Sequence, residues 1–486
     1  MSSSDGPADQ AYVFGRRDTS GVLLGLTWPQ LACVATAVAA LTAGFVVAQG
    51  VGAGLSLLVV VPLLALAFSP VAGRSAVDWV GPVVNTGWQR ATGQHRYLGG
   101  PADEREELAL PGLGVPLPVY RAATGGAIVE NPSARTATVT LEVASAGFVL
   151  LDRSTQQRRV AAWGGLLASL CQSGRVARAQ WLERTVPDSG DALQRWWSAR
   201  GIKDCLAAPL YESLICDAGP AAERHEAFLV LSVDLRRLAR QVRQAGGGRR
   251  GIVAVMEREM AAFSSAAEAA EVTVLGWASP RRLGEVIREA YDPEAVGALE
   301  RRQPGDQPAP GNPVSTAGPA ADVTEWDRYR SDSGVHATYW VSEWPRLPVQ
   351  AGFLQPLLLE CRARRTVSLV AQPLPTQRAA REIRHAKVEH LTNAAQRERV
   401  GQVADQRRDA AYADVLKRET ELVAGHGDLR YTAFLTATVL DGDDLPDACA
   451  ALEQAALQSH LEIRRLYGQQ DQAFRAAALP LALGLR

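Results

Sequence analysis

The sequence predicts an α+β protein: a transmembrane helical hairpin at the N-terminus, then an antiparallel-sheet-plus-helix body bearing a long helical arm. Three observations lead there. About 55 residues from Thr19 to Gly73 carry no Asp, Glu, Lys or Arg, enough for two membrane crossings of about 20 residues each. Beyond them, segments of alternating polarity such as TATVTLEVA read as half-buried antiparallel strands. They are interspersed with helical stretches, and the longest of these, residues 376–424, is polar throughout.

Residues 1–27 form an N-terminal tail whose first eleven positions are small and polar and predict disorder. Tyr12, Phe14 and Trp28 are candidates for the bilayer interface. The hairpin occupies 28–72: one helix from Pro29 to Ala48, the turn QGVGAG, and a second helix from about Leu55 to Ala72. Trp28, Phe45, Leu58 and Phe68 are the candidate membrane anchors. Core helices are rarely uncharged on every face, and the apolar run is too long for a cleaved leader despite Arg16 and Arg17. Arg16 and Arg17 precede the first span, Arg74, Arg90 and Arg96 follow the second, and the turn has none. Positive charge stays inside, so both termini and the large domain are expected on the cytoplasmic side of the plasma membrane.

The juxtamembrane segment 73–110 includes Trp79, Val83, Val84 and Trp88 on a helix expected to break at Pro82, either lying on the bilayer or serving as an ordinary linker. Residues 111–300 form the first α+β domain. There Ser154 is placed to cap a helix whose inner side includes Val160, Trp163, Leu167 and Leu170. Residues 175–186 and 225–235 read as strands, and PRRLGEVIREAY as a helix. Five prolines and three glycines make 301–321 a linker. Residues 322–486 form the second α+β region, expected to start a second sheet, and Gly401 should fold the arm into an antiparallel helical pair.

Composition bounds function. With a formal net charge of -1, the chain has no global field for nucleic acid. Cys33, Cys171, Cys205, Cys216, Cys361 and Cys449 show no paired spacing and read as reduced thiols. Its three lysines, Lys203, Lys387 and Lys417, each follow a residue other than glycine, so no phosphate-cradling P-loop exists. His385 and His390 lie five apart, off the shared face that paired zinc ligands use. Neither a nucleophile elbow nor a calcium loop is present. No cofactor, metal or catalytic residue is therefore expected. The alternative is a membrane-bound enzyme whose site is assembled from scattered residues.

The segment YVFGRRDTSGVLLGLTWPQL with its apolar hairpin resembles the PrgI-like inner-membrane subunit of type IV secretion and conjugation systems, in an actinobacterial family of membrane proteins. HATYWVSEWPRLPVQAGFLQPLL, the arm, and LEIRRLYGQQDQAFRAAALPLALG resemble the non-ATPase N-terminal half of the large conjugation ATPases. In those proteins a P-loop domain follows such a segment, whereas this sequence stops at Arg486. The resemblance implies a non-catalytic scaffold that docks a separate P-loop ATPase, alongside other secretion-channel subunits and copies of itself. The arm 376–424 and the apolar tail from Phe474 to Leu485, without charge between Arg475 and Arg486, are the expected docking surfaces, with Phe474, Leu479, Pro480 and Leu481 as the candidate residues.

Overall fold

A computed structural model describes residues 12, 14, 26–71, 74–100, 106–144, 147–187, 191–218, 223–302, 310–400 and 406–485. Helix α1 spans Trp28–Phe68, starting with Pro29 in its first turn, where a missing N–H costs nothing. The expected break at residues 49–54 is absent as a separate element: the backbone is helical through all three glycines, each costing only about 1 kcal/mol against alanine. The element is nevertheless not straight. Forty-one residues would extend about 60 Å, yet Gln30 Nε2 donates to Ala67 O at 3.0 Å. One part of it, Trp28–Val46, is by itself long and apolar enough to cross a membrane, with a mean hydropathy of 1.6.

A small ladder, β1 (Pro70–Val71) with β2 (Arg74–Ser75), precedes α2 (Val80–Ala91). Pro82 does not break α2 because it lies in the first turn, where its N–H has no helical partner to lose. Next come β3 (Arg96–Leu98), β4 (Glu107–Leu108) and the meander β5 (Leu117–Arg121), β6 (Ala127–Asn131) and β7 (Thr136–Ala144). Helix α3 (Arg153–Ser173) leads to β8 (Val176–Pro187). Its N-cap is Asp152 rather than Ser154, the carboxylate accepting from Thr155 N at 3.0 Å. A helical pair, α4 (Asp191–Arg200) and α5 (Ala208–Ala218), then precedes β9 (Glu223–Asp234). Helices α6 (Ala239–Gln244) and α7 (Gly248–Ala269) meet at Gly246–Gly248, all three at positive φ. Strand β10 (Thr273–Trp277), α8 (Pro280–Tyr291) and α9 (Ala295–Glu300) follow.

Past the Pro/Gly stretch the chain builds β11 (Ala321–Thr324), β12 (Tyr329–Ser331), β13 (Gly334–Glu343) and β14 (Arg365–Leu374). The arm is α10 (Thr376–Val400) and α11 (Gln406–Val423), with Gly401 outside the described residues. Lys387 Nζ meets Glu419 Oε2 at 2.8 Å and the His390 and Tyr412 rings lie 5.8 Å apart, so the two helices run antiparallel. Strand β15 (Asp428–Val439), α12 (Leu445–Gln458), β16 (Glu462–Arg465) and α13 (Gln470–Ala478) complete the fold.

The second half does not start a sheet of its own. Strands β3 to β16 form one fourteen-stranded sheet in the order β3-β11-β12-β13-β15-β14-β8-β9-β7-β6-β5-β4, with β10 on β7 and β16 on β13. All described pairings are antiparallel. The halves join where β8 pairs β14, so the sheet crosses the boundary expected at 301–321.

The order contains a repeat. The set β5 to β10 with α4, α5, α7 and α8 pairs as β11 to β16 does with α10, α11, α12 and α13: a meander, a strand, a helical pair, a returning strand, a helix, and a strand added to the meander. Trp181 pairs Leu229 in the first half and Val367 pairs Leu435 in the second. On that equivalence Leu182 corresponds to Ser368, and these two residues are paired with each other. A pseudo-twofold axis therefore passes between them.

Alternation along the strands sorts the core into two layers. Leu229, Leu231 and Val233 pack with α3 and α7, and Leu435 and Ala437 with α12. Their neighbours Phe228 and Phe434 point to the other face, under α8 and α13. Because these two phenylalanines are equivalent and fully buried, Phe228→Ala and Phe434→Ala should each destabilise the detergent-solubilised chain by about 3–5 kcal/mol. Similar downward shifts of the thermal midpoint are expected, and a large effect from one with none from the other would contradict the equivalence.

Candidate membrane anchor and docking surfaces

The four anchor candidates all face outward on α1: Trp28 is 71%, Phe45 63%, Leu58 74% and Phe68 56% exposed. Buried positions on the same element, Ala37, Val60 and Ala67, are small or medium-sized. The aromatics just before the helix behave differently. Tyr12 pairs Val349 through its backbone, and Phe14 stacks on Trp344 at 4.9 Å, so these residues rest on the body instead of an interface. Trp79 likewise packs on Trp326 and Tyr467, while Val83, Val84 and Trp88 of α2 remain exposed.

The tail residues are placed in the opposite way. Phe474 is 1% exposed and packs against the rings of Tyr291, Tyr329 and His336, the last at 4.3 Å. Leu479 and Leu481 are in the same core, and Pro480 is buried beside them. The docking role expected of these four side chains is corrected accordingly: an uncharged apolar segment fills the protein's own core. What seats it is a row of polar side chains on that face of the sheet. Gln180 Nε2 lies 2.9 Å from Ser368 Oγ, 3.3 Å from Ala476 O and 3.1 Å from Leu479 O, while its Oε1 accepts from Ala482 N at 2.7 Å. Thr140 Oγ1 donates to Pro480 O at 2.8 Å, and Gln470 bonds both backbone groups of Thr338. A polar residue in the middle of a strand gave no sequence signal for this role, since solvent-facing strand positions look the same.

Beside the seat lies a buried ion network that fixes α8 to the sheet. Arg184 of β8 pairs with Glu226 of β9 at 2.6 Å and with Glu289 of α8, and Arg282 of α8 reaches Glu226 at 2.8 Å. Burial would raise the Glu226 carboxyl, but Arg184, Arg282 and Arg224 hold it well below the usual carboxylate range. Burial pushes Glu289 up, and burial together with Arg184 lowers the Arg364 guanidinium to about 10. With every carboxylate of this network engaged by a guanidinium, the arrangement works as a clamp.

One cleft, about 880 Å³, is polar and lined by residues including Arg288, Asp292, Arg330, Asp332, Asp441 and Asp443. Arg288 neutralises Asp292 and Asp332 at 2.7 and 2.9 Å. Among the described residues no group of three or more His, Cys, Asp or Glu is placed to hold a metal. The polar arm presents exposed Val388 and Leu391. No family profile matches the sequence, and no curated protein matches it.

Two measurements probe the seat. Gln180→Leu keeps the volume but strands buried peptide groups, at about 1–3 kcal/mol each, so residues 479–485 should become accessible to limited proteolysis before the rest of the body. Asp322, donated to by Tyr329 at 2.9 Å, is raised by burial from 3.8 to about 6. Between about pH 4 and 6 the folded state thus holds a proton that the unfolded state has lost, and stability from this group falls as pH rises through that window. Asp322→Asn should flatten that part of the stability-versus-pH curve, and an unchanged slope would assign it to other groups.

Proposed function

We propose that this chain is a non-catalytic scaffold anchored in the plasma membrane by its N-terminal apolar segment. The observation that carries this reading is the helix Trp28–Val46, apolar along its length and with 6% of it buried against the protein. Water is a poor solvent for such a surface and lipid a good one. The segment crosses twice, as a hairpin. That topology is supported by the contact of Gln30 with Ala67, which brings its two ends together, and by the arginines Arg16, Arg17 and Arg74 flanking both ends. The body then lies on the cytoplasmic side.

The kind of machine follows from the sequence resemblance alone: a type IV secretion or conjugation apparatus, with a separate P-loop ATPase as partner. The arm α10–α11 is its docking element, because it carries exposed Val388, Leu391 and Val423 on a largely polar surface. The chain should resist carbonate extraction from membranes, and a version lacking residues 28–68 should become extractable. Val388→Asp with Leu391→Asp should abolish capture of a conjugation-type P-loop ATPase from the same cells while leaving membrane association unchanged. Carbonate-soluble wild-type protein ends the anchoring reading, and undiminished capture ends the docking one.

A further inference from the structure

The helical pair α4–α5 occupies, in the first half, the position that the arm occupies in the second, but its surface differs in kind. One side of α5 is satisfied: Ala208 and Ile215, seven apart, are buried, and Tyr211 stacks on Trp197 of α4 at 5.6 Å. The other side is bare. Leu210 and Leu214 lie four apart as one stripe, Leu206 precedes them in the turn before the helix, and with Trp196, Ile202 and Tyr211 each is between 52% and 105% exposed. Six large apolar side chains more than half exposed leave several hundred Å² of such surface in water, on the order of the roughly 300–600 Å² of the largest patch on a typical monomer and a large part of the roughly 800 Å² that one partner contributes to a standard interface.

The chemistry of the pair selects its occupant. Residues 191–218 hold Asp191, Asp204, Glu212 and Asp217 against Arg195, Arg200 and Lys203, four acidic and three basic. A lipid-surface helix carries a basic polar face, which this one lacks, and a partner of one charge sign would find nothing to complement. A patch of nearly balanced charge meets its own copy without net repulsion, and an isologous contact between two helical pairs forms a four-helix bundle. We infer that α4–α5 is a self-association surface through which two copies of this chain dimerise. The inference uses the fold of the body and does not depend on the anchoring or the ATPase.

The native thiols report on it. Cys205 lies between the two helices and Cys216 on α5, both exposed, whereas Cys171, Cys361 and Cys449 are buried. The full chain, purified in detergent at about 10 μM, a concentration at which an interface of this size is normally populated, should have the protein mass of a dimer by sedimentation equilibrium. A short bis-maleimide should cross-link it, and Cys205→Ser with Cys216→Ser should remove the cross-link. Leu210→Glu with Leu214→Glu, and separately Leu206→Glu at the fully exposed position, should give monomers that melt at the wild-type temperature. A monomeric wild type overturns the proposal, as does a dimer unaffected by these variants. Protection of Cys205 and Cys216 from a soluble maleimide only when phosphatidylcholine–phosphatidylglycerol vesicles are added would overturn it in favour of lipid.

Discussion

Burying the peptide groups of residues 476–482 against the middle of a sheet is tolerable only if each finds a partner, because an unpaired carbonyl or N–H away from water costs as much as a lost hydrogen bond. Gln180 meets that demand from β8, and it also reaches Ser368 on β14. One amide side chain thus connects the first half, the second half and the C-terminal segment. With that segment in place, Phe474, Leu479 and Leu481 can close the core beneath α8, and α8 in turn is clamped by Arg184 and Arg282 through Glu226 and Glu289.

The repeat explains why the demand falls at this point. A pseudo-twofold axis between Leu182 and Ser368 sets two similar surfaces side by side. Each half covers one face of its own strands, with α7 in the first and α12 in the second, while the other face at the join is shared by α8, α13 and the tail. The halves differ most in the helical pair between their fourth and fifth strands: short, with exposed leucines, in α4–α5, long and polar in α10–α11.

Much of the secondary structure was legible because it obeys local rules. The alternation in 136–144 and 334–343 marks strands, and Ser279 followed by Pro280 marks the start of α8, where the serine hydroxyl accepts from Arg282 N. The joining of the two halves was not legible, since the pairing of β8 with β14 spans about 180 residues and leaves no short-range trace. The repeat did leave one: Ala227-Phe228-Leu229 and Ala433-Phe434-Leu435 sit at equivalent places in β9 and β15. The tail misled for a physical reason. Hydrophobicity reports that a segment avoids water, and a docking surface and a protein's own core satisfy it equally well. In α1, glycines that commonly end helices stayed within helical backbone.

The meeting of β8 and β14 also bears on what happens while the polypeptide is emerging from the ribosome. Strand β8 is twelve residues long, and its outer side stays unpaired until residues 365–374 have been made. Throughout that interval a central strand is temporarily an edge strand, the geometry on which foreign strands template themselves. Any product truncated between residues 234 and 365 would keep that edge open permanently.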